Sequence, residues 1–588
     1  MSNTSKIIRF AVYSIALGGL SLNLEAQTKP NVILIVTDDQ GFGDLGYYGN
    51  PHVKSPTIDQ LAEQSVRFDE FLVSPVCAPT RASLMTGRYA LRTGVRDTYR
   101  GGAIMATDEI TIAEILKEAG YKTGMIGKWH LGDNYPSRPQ DQGFDFTLNH
   151  LSGGLGQNGD WPNALEGSRR YFDPILWKNG EMIQTKGYCS DVFTDEAIHF
   201  VDKNKADPFF LYLSFNAPHA PLQVPDAYYN MYKDIDPSKG FENDDRPFPV
   251  MNEQLKENAR KVYAMVSNID DNLKRLFDTL DGMGIRDNTL IIFMTDNGPQ
   301  HDRYAAGMKG RKGYVYEGGV RVPSFWSLPS QFKGNRDIKT PTAHYDILPT
   351  LAELCGAQRP TDRILDGKSL LPLLNNETSS LGNRTFARSW VRGGPEQYTN
   401  ISIRNDQYKL VGNTVQHANI DTFELYNIVA DPFEQHNVVL THPSEALDLK
   451  QNMDVWFKNM ISEHNFTKDH PAIVGTMHEN PSVLNINDAI FTKNENLGQD
   501  VAGWEIEVAE TGYYDIKVQL FQKEINNIKL DLKIGPETIT KEAITLTDGI
   551  IHIHRLTLGK GTVRLTPFVT NEKGAYIKPF YVKIDRQF

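Results

Sequence analysis

Two stretches far apart in the chain carry one pattern, and it restricts the fold more than anything else in the sequence. Asn31-Val-Ile-Leu-Ile-Val36 and Thr289-Leu-Ile-Ile-Phe-Met294 are nearly unbroken apolar runs, and each leads into Thr-Asp: Thr37-Asp38-Asp39 in one, Thr295-Asp296-Asn297 in the other. A strand without polar alternation must be covered on both faces, as parallel strands are when helices lie above and below them. Adjacent carboxylates at the end of such a strand either cap the next turn or repel one another unless a cation lies between them. If the two strands run parallel in one sheet, Asp38, Asp39, Asp296 and Asn297 meet in the crevice outside their carboxyl ends. An all-oxygen set of that kind suits Ca²⁺ or Mg²⁺ and not zinc.

The sequence between them alternates helical and extended patterns. Thr57-Ile-Asp-Gln60 and Thr111-Ile-Ala-Glu114 have capping-box form and open amphipathic helices. A strand over residues 122 to 126 delivers Gly127-Lys128-Trp129-His130-Leu131-Gly132. Lys128 and His130 are two apart, so on extended backbone they point to one side and suit an anion. The run Phe209 to Phe215 is the next buried strand, and His219 follows it between Pro218 and Pro221. Held off any helix by the prolines, it is placed rigidly enough for acid–base or anion-binding work. Residues 257 to 283 carry apolar side chains at helical spacing and read as core. Lys309-Gly-Arg311-Lys312-Gly313 is a basic, glycine-rich loop, either solvated or anion-binding.

One thiol completes the set. In Ser74-Pro-Val-Cys77-Ala-Pro79-Thr-Arg81, Pro79 suits the first turn of a helix that continues through Ala82 to Met85. Cys77 then sits just ahead of that helix, where the free N–H groups lower a thiol's pKa or hold an anion. The order C-x-P-x-R, followed by Ala82-Ser-Leu-Met-Thr-Gly-Arg88, resembles the signature of the sulfatases of the alkaline phosphatase superfamily. The strings G-K-W-H-L-G at Lys128, P-H-x-P-L-Q at His219, and Lys312 ahead of Glu317-Gly-Gly resemble the same family. The resemblance implies that a formylglycine-generating or radical maturase oxidises Cys77 to formylglycine (3-oxoalanine), whose hydrate attacks sulfur. It implies Ca²⁺ on Asp38, Asp39, Asp296 and Asn297, with residue 77 completing the sphere. It assigns Arg81 to the hydrate, Lys128 to the sulfate and His219 with Lys312 to the leaving oxygen. His130 would take the proton whose loss lets sulfate depart. Arg311 stands where the family commonly has glycine, which means crowding or an extra substrate contact.

At 588 residues the chain is too long for one core. Residues 1–26, with Lys6, Arg9 and a short apolar run, read as a signal peptide, so the protein is expected to be exported to the periplasm or secreted, with no membrane span. The net charge of −12 argues against nucleic acid as a partner, and three cysteines give no disulfide framework. The expected fold class is α/β: a large, mostly parallel sheet flanked by helices over residues 27–375, a small antiparallel α+β subdomain over 376–468, and an all-β sandwich over 469–588. Residues 140 to 180, with Gly153-Gly-Leu-Gly156, Trp161, Arg169 and Arg170, read as a specificity insert. The sandwich strings Trp504-Glu-Ile-Glu-Val508 and Gly512-Tyr-Tyr-Asp-Ile-Lys-Val518 resemble carbohydrate-binding jelly rolls, or mark a packing domain. The reading is an exported hydrolase of sulfated carbohydrate, for example algal polysaccharide. Its rivals are a phosphoester or phosphonate hydrolase, whose metal set would add histidines that no motif places here, and a non-enzymatic glycan-binding protein.

Overall fold

The computed structural model describes residues 29–164, 170–242, 244–414, 419–494 and 499–588. The expected signal peptide and Arg169 lie outside the described residues.

Among the described residues the main sheet has ten strands, and its middle is five parallel ones in the spatial order Thr289–Thr295, Asn31–Thr37, Phe209–Ser214, Lys122–Lys128, Phe146–His150. Antiparallel strands flank this block on both sides, with Ser324–Ser327 against the first and Ile175–Lys178 against the last. The sheet is therefore mixed, and parallel where the site lies.

The apolar run over 31–37 is divided between two cores. Val32, Leu34 and Val36 pack with the helices Cys77–Thr86, Ile112–Glu118 and Ile347–Cys355, while Ile33 and Ile35 pack with Cys189–Asn204 and Glu253–Gly282. All five side chains are fully buried, which is what removed polar alternation from the sequence.

The capping box at Thr111 and Glu114 forms in both directions. The one expected at Thr57 does not. That helix spans Pro56–Gln64 with Ser55 as its cap residue, and its free N–H groups at Thr57 and Ile58 are taken by Asp270 of the long helix, at 3.1 and 2.7 Å. A distant carboxylate does there what a local side chain would have done.

Strands Phe386–Ser389, Ile401–Arg404, Tyr408–Gly412 and Glu424–Asn427 form an antiparallel sheet against the helix Pro443–Ile461. A buried charge network ties this unit to the short helix Glu317–Val320 of the larger domain: Lys409 lies 2.9 Å from Glu317 and 2.8 Å from Glu434. Burial pushes Glu434 up to about 7. Burial acts the same way on Glu317, but Lys409 and Arg404 overcome it and hold that carboxyl at about 2.

Beyond residue 471, two sheets of seven and four strands close on one core that includes Trp504, Ile506, Tyr514 and Ile516. One short strand, Ala472–Val474, runs parallel to its neighbour; the other pairings are antiparallel. No described helix is long and apolar enough to cross a membrane.

Candidate active site

Parallel pairing sets the site. Thr37 lies opposite Thr295, so the residues that follow leave the sheet side by side. The Asp39 N–H donates to Asp296 Oδ1 at 3.2 Å, and Asn297 Nδ2 donates to Asp39 Oδ1 at 2.9 Å. Asp38, Asp39, Asp296 and Asn297 are all buried. The sequence placed these four together, and they are together.

The helix Cys77–Thr86 starts at Cys77 itself, with Val76 as its cap residue and Pro79 inside the first turn. Asp38, Cys77 and Asp296 each present a ligand atom within 4.8 Å of the others, and so do Asp38, Asp39 and His219. Asp38 Oδ1, Asp39 Oδ2 and Asn297 Oδ1 are buried without a hydrogen-bond partner. Buried carboxylate and amide oxygens left unpaired are costly, and these fit a hard cation that prefers oxygen. His219 adds a histidine at the same place, 3.6 Å from Asp39, so the sequence argument that no histidine approaches the metal set does not hold.

Three cations surround the carboxylates. Arg81 Nη2 pairs with Asp296 at 2.8 Å, Lys128 with Asp38 at 2.6 Å and Lys312 with Asp39 at 2.6 Å. Arg81 is locked further by hydrogen bonds to Lys128 O, Tyr212 Oη and Ser214 Oγ; Tyr212 and Ser214 were not anticipated. Burial, together with Asp296, raises the Asp38 carboxyl well above the usual range. Burial would do the same to Asp39, but Lys312 and His219 hold it far below. Burial works against the Lys312 ammonium, yet Asp39 keeps its proton well above the ordinary lysine range.

Cys77 departs from expectation. Burial pushes its thiol up in spite of Lys128 and Lys312, with Asp38 and Asp296 adding to the rise, the opposite of the shift expected at a helix mouth.

Both histidines are held neutral by burial. His219 is pushed down to about 3, and His130 falls well below its ordinary value with Lys128 adding to the effect. His130 Nε2 lies 3.0 Å from Thr98 O, which fixes the proton on Nε2 and leaves Nδ1, buried and unpartnered, as an acceptor. His219 Nδ1 is likewise engaged with Ala220 O at 2.7 Å. The same-side argument for Lys128 and His130 fails in detail. The strand ends at Lys128, and His130 takes a left-handed conformation with φ 62°. Lys128 stays behind the carboxylates, fully buried, while His130 reaches the cleft. Gly153 packs so close to that ring that a Cβ would lie 2.5 Å from His130 Cε1.

The cleft holds about 640 Å³, with Cys77, His130, His219, Arg311 and Lys312 among its lining residues. Arg311 stands at the rim, 3.2 Å from Asp302. One wall comes from the small subdomain and escaped the sequence reading: Trp390, Arg392 and Asn400. Asp97 holds it, accepting from Trp390 Nε1 at 3.1 Å and pairing with Arg392 at 2.9 Å. The tryptophan–arginine pair just after a short strand, in Ser389-Trp-Val-Arg392-Gly-Gly, was the available signal.

Residues 30–357 match the sulfatase family model, and residues 310–461 match the model for the C-terminal region of N-sulphoglucosamine sulphohydrolase. An arylsulfatase from Hemicentrotus pulcherrimus is 33% identical over 380 residues, which cover 60% of this chain and 63% of the relative, so this chain spans less than two thirds of that protein. An N-acetylglucosamine-6-O-sulfatase from Bacteroides thetaiotaomicron is 27% identical over 500 residues, 70% of this chain and 83% of the relative. The crystal structure of Ps i-CgsB in complex with k-i-k-neocarrahexaose superposes with a TM-score of 0.62 at 31% identity, covering 75% of this chain and 95% of that one. With the family match extending over more than half of its length, and the buried carboxylates, the Cys77 helix and the cleft residues His130, His219, Arg311 and Lys312 inside that match, the chain belongs to the sulfatase family.

Proposed function

We propose that this protein hydrolyses sulfate esters on carbohydrate, outside the cytoplasm, using a formylglycine made from Cys77 by a maturase and a Ca²⁺ ion. The observation that carries the reading is the convergence of unpartnered oxygens of Asp38, Asp39 and Asn297 beside residue 77 at the floor of a basic cleft. Export rests on the sequence of residues 1–26. The carbohydrate substrate is favoured by the relatives named above, one of them an N-acetylglucosamine-6-O-sulfatase and one crystallised with k-i-k-neocarrahexaose.

Asp38, Asp39, Asp296 and Asn297 would hold Ca²⁺, with residue 77 beside them. When in place, the ion would supply charge that polarises sulfate oxygens, and the formylglycine hydrate an oxygen nucleophile. The side chains do the rest. Asp38, Asp39 and Asp296 balance Arg81, Lys128 and Lys312 charge for charge, so a bound dication leaves the cleft positive and suited to an anionic ester. Lys312, kept protonated by Asp39, is the donor toward the leaving oxygen, with His219 beside it. His130 Nδ1, with its lone pair free, accepts a proton at the other side.

The test is turnover of an aryl sulfate against an aryl phosphate by protein matured at residue 77. Sulfate turnover should dominate. Equal or faster phosphate hydrolysis would favour the phosphoester reading, and no hydrolysis of either would favour a binding protein. Gly153→Ala tests the role of His130 separately. The added methyl displaces the ring, and a displacement near 1 Å costs roughly 10²-fold in kcat while leaving the mass of the residue-77 peptide unchanged. An undiminished kcat would remove His130 from the reaction.

A further inference from the structure

A second concavity, of about 380 Å³, lies at the seam between the main sheet and the C-terminal sandwich. One segment lines both it and the catalytic cleft: Asn149, Leu151 and Trp161 face the seam, while Gly153 and Gln157 face the catalytic side.

The seam is built around aromatic rings from three places in the chain. The Trp161 ring centroid lies 6.1 Å from that of Trp177 and 5.0 Å from that of Tyr581 in the sandwich. Trp177 stands directly opposite Met182 in an antiparallel ribbon, so the two share a face. Met182 is 51% exposed and Met477, on the sandwich side, is 85% exposed. Among the described residues neither indole N–H has an acceptor. A cavity of this volume, with aromatic rings and methionines set beside polar and charged side chains such as Gln140, Asn149 and Lys583, has the amphipathic lining that a sugar requires.

Its charges define the ligand. Asp133, Arg138, Glu479 and Lys583 all line the cavity. Arg138 pairs with Asp141 at 2.7 Å, with Glu479 at 3.9 Å. The two lining acids are engaged inside the protein, Asp133 accepting from Ser152 N–H and Asn485 Nδ2, Glu479 from Asn134 Nδ2 and Tyr135 N–H. Lys583 lines the same cavity two residues from Tyr581, on the same side of its strand, and among the described residues it makes no ion pair. Indole faces take the apolar C–H face of a pyranose ring, and an unpaired ammonium takes an anionic substituent.

We propose that this seam is a second carbohydrate-binding site, which takes an anionic sugar residue of a glycan chain whose sulfate ester sits in the catalytic cleft. The proposal rests on the carbohydrate reading above. Holding one part of a chain at the seam raises the effective concentration of the rest at Cys77, so the site should act on polymer and not on a small aryl ester.

The test uses the full-length protein carrying Cys77→Ala, so that ligands are not consumed. Calorimetry measures its binding of hexasaccharides from heparin, chondroitin 6-sulfate and carrageenan, with neutral cellohexaose as comparator. At least one sulfated hexasaccharide should bind more tightly than cellohexaose. Trp177→Ala and Lys583→Ser should each raise its Kd, roughly tenfold for the tryptophan, and Trp177→Phe should restore most of the loss. In the mature enzyme the same substitutions should leave kcat/KM for an aryl sulfate within about twofold, because neither residue lines the catalytic cleft. Should Trp177→Ala melt early, Lys583→Ser and Trp177→Phe decide the question. Binding indifferent to these substitutions, or absent for all the hexasaccharides, overturns the proposal even if aryl sulfate is hydrolysed. Trp177-dependent binding by a protein that hydrolyses no sulfate would uphold the site and remove the proposed reaction instead.

Discussion

Cys77→Ala is expected to lower kcat/KM for an aryl sulfate by on the order of 10⁵-fold or more, the scale seen when a covalent nucleophile is deleted. The fold should survive, because only one buried sulfur is lost and Arg81 and Lys128 keep their carboxylate partners. The comparison must be made with protein in which residue 77 is converted. The thiol as encoded is held in its neutral form by burial, so an unconverted sample should resemble the variant. Digestion and weighing of the residue-77 peptide gives the converted fraction, and activity should scale with it. Activity retained in Cys77→Ala, or independent of that fraction, would place the nucleophile elsewhere.

The second large effect belongs to the cation. Calcium at a hundred times its Kd should stabilise the folded protein by about 2.7 kcal/mol, read as a melting temperature that rises with calcium concentration. Asp39→Ala should abolish that rise, and chelation of the parent protein should remove turnover with it. The pH dependence has a definite sign. Burial and Asp296 raise the Asp38 carboxyl well above its usual range in the metal-free site, so a proton competes with the ion there. Calcium affinity should weaken as the pH falls and strengthen as it rises. A melting temperature indifferent to calcium would leave the orphaned oxygens without their explanation.

Those oxygens were legible in the sequence because a fully buried parallel strand leaves a plain record: Val32 to Val36 and Leu290 to Met294 admit no polar residue, and the aspartates mark where each strand ends. Edge strands leave no such record. Glu537–Leu546 is a ten-residue strand whose side chains, except Leu546, are at least partly exposed, so its sequence shows no alternation and was not read as a strand. The cleft wall at Trp390 and Arg392 was hidden for another reason. It comes from a separate unit, and its place beside Cys77 depends on docking through Lys409 and Glu317, which no local pattern records. His130 was found for its chemistry but not for its geometry, since two-residue spacing predicts direction only while the backbone stays extended.

The pairing of Thr37 with Thr295 has a consequence for where this scaffold can change. With both faces of these strands sealed, inserting a single residue within either run would send the side chains on one side of the insertion to the opposite core and rotate one carboxylate pair away from the other. The strands should therefore be intolerant of length variation, whereas the segments leaving their carboxyl ends can be lengthened or exchanged. New substrate preferences should arise by rebuilding those loops, with the carboxylates left where they are.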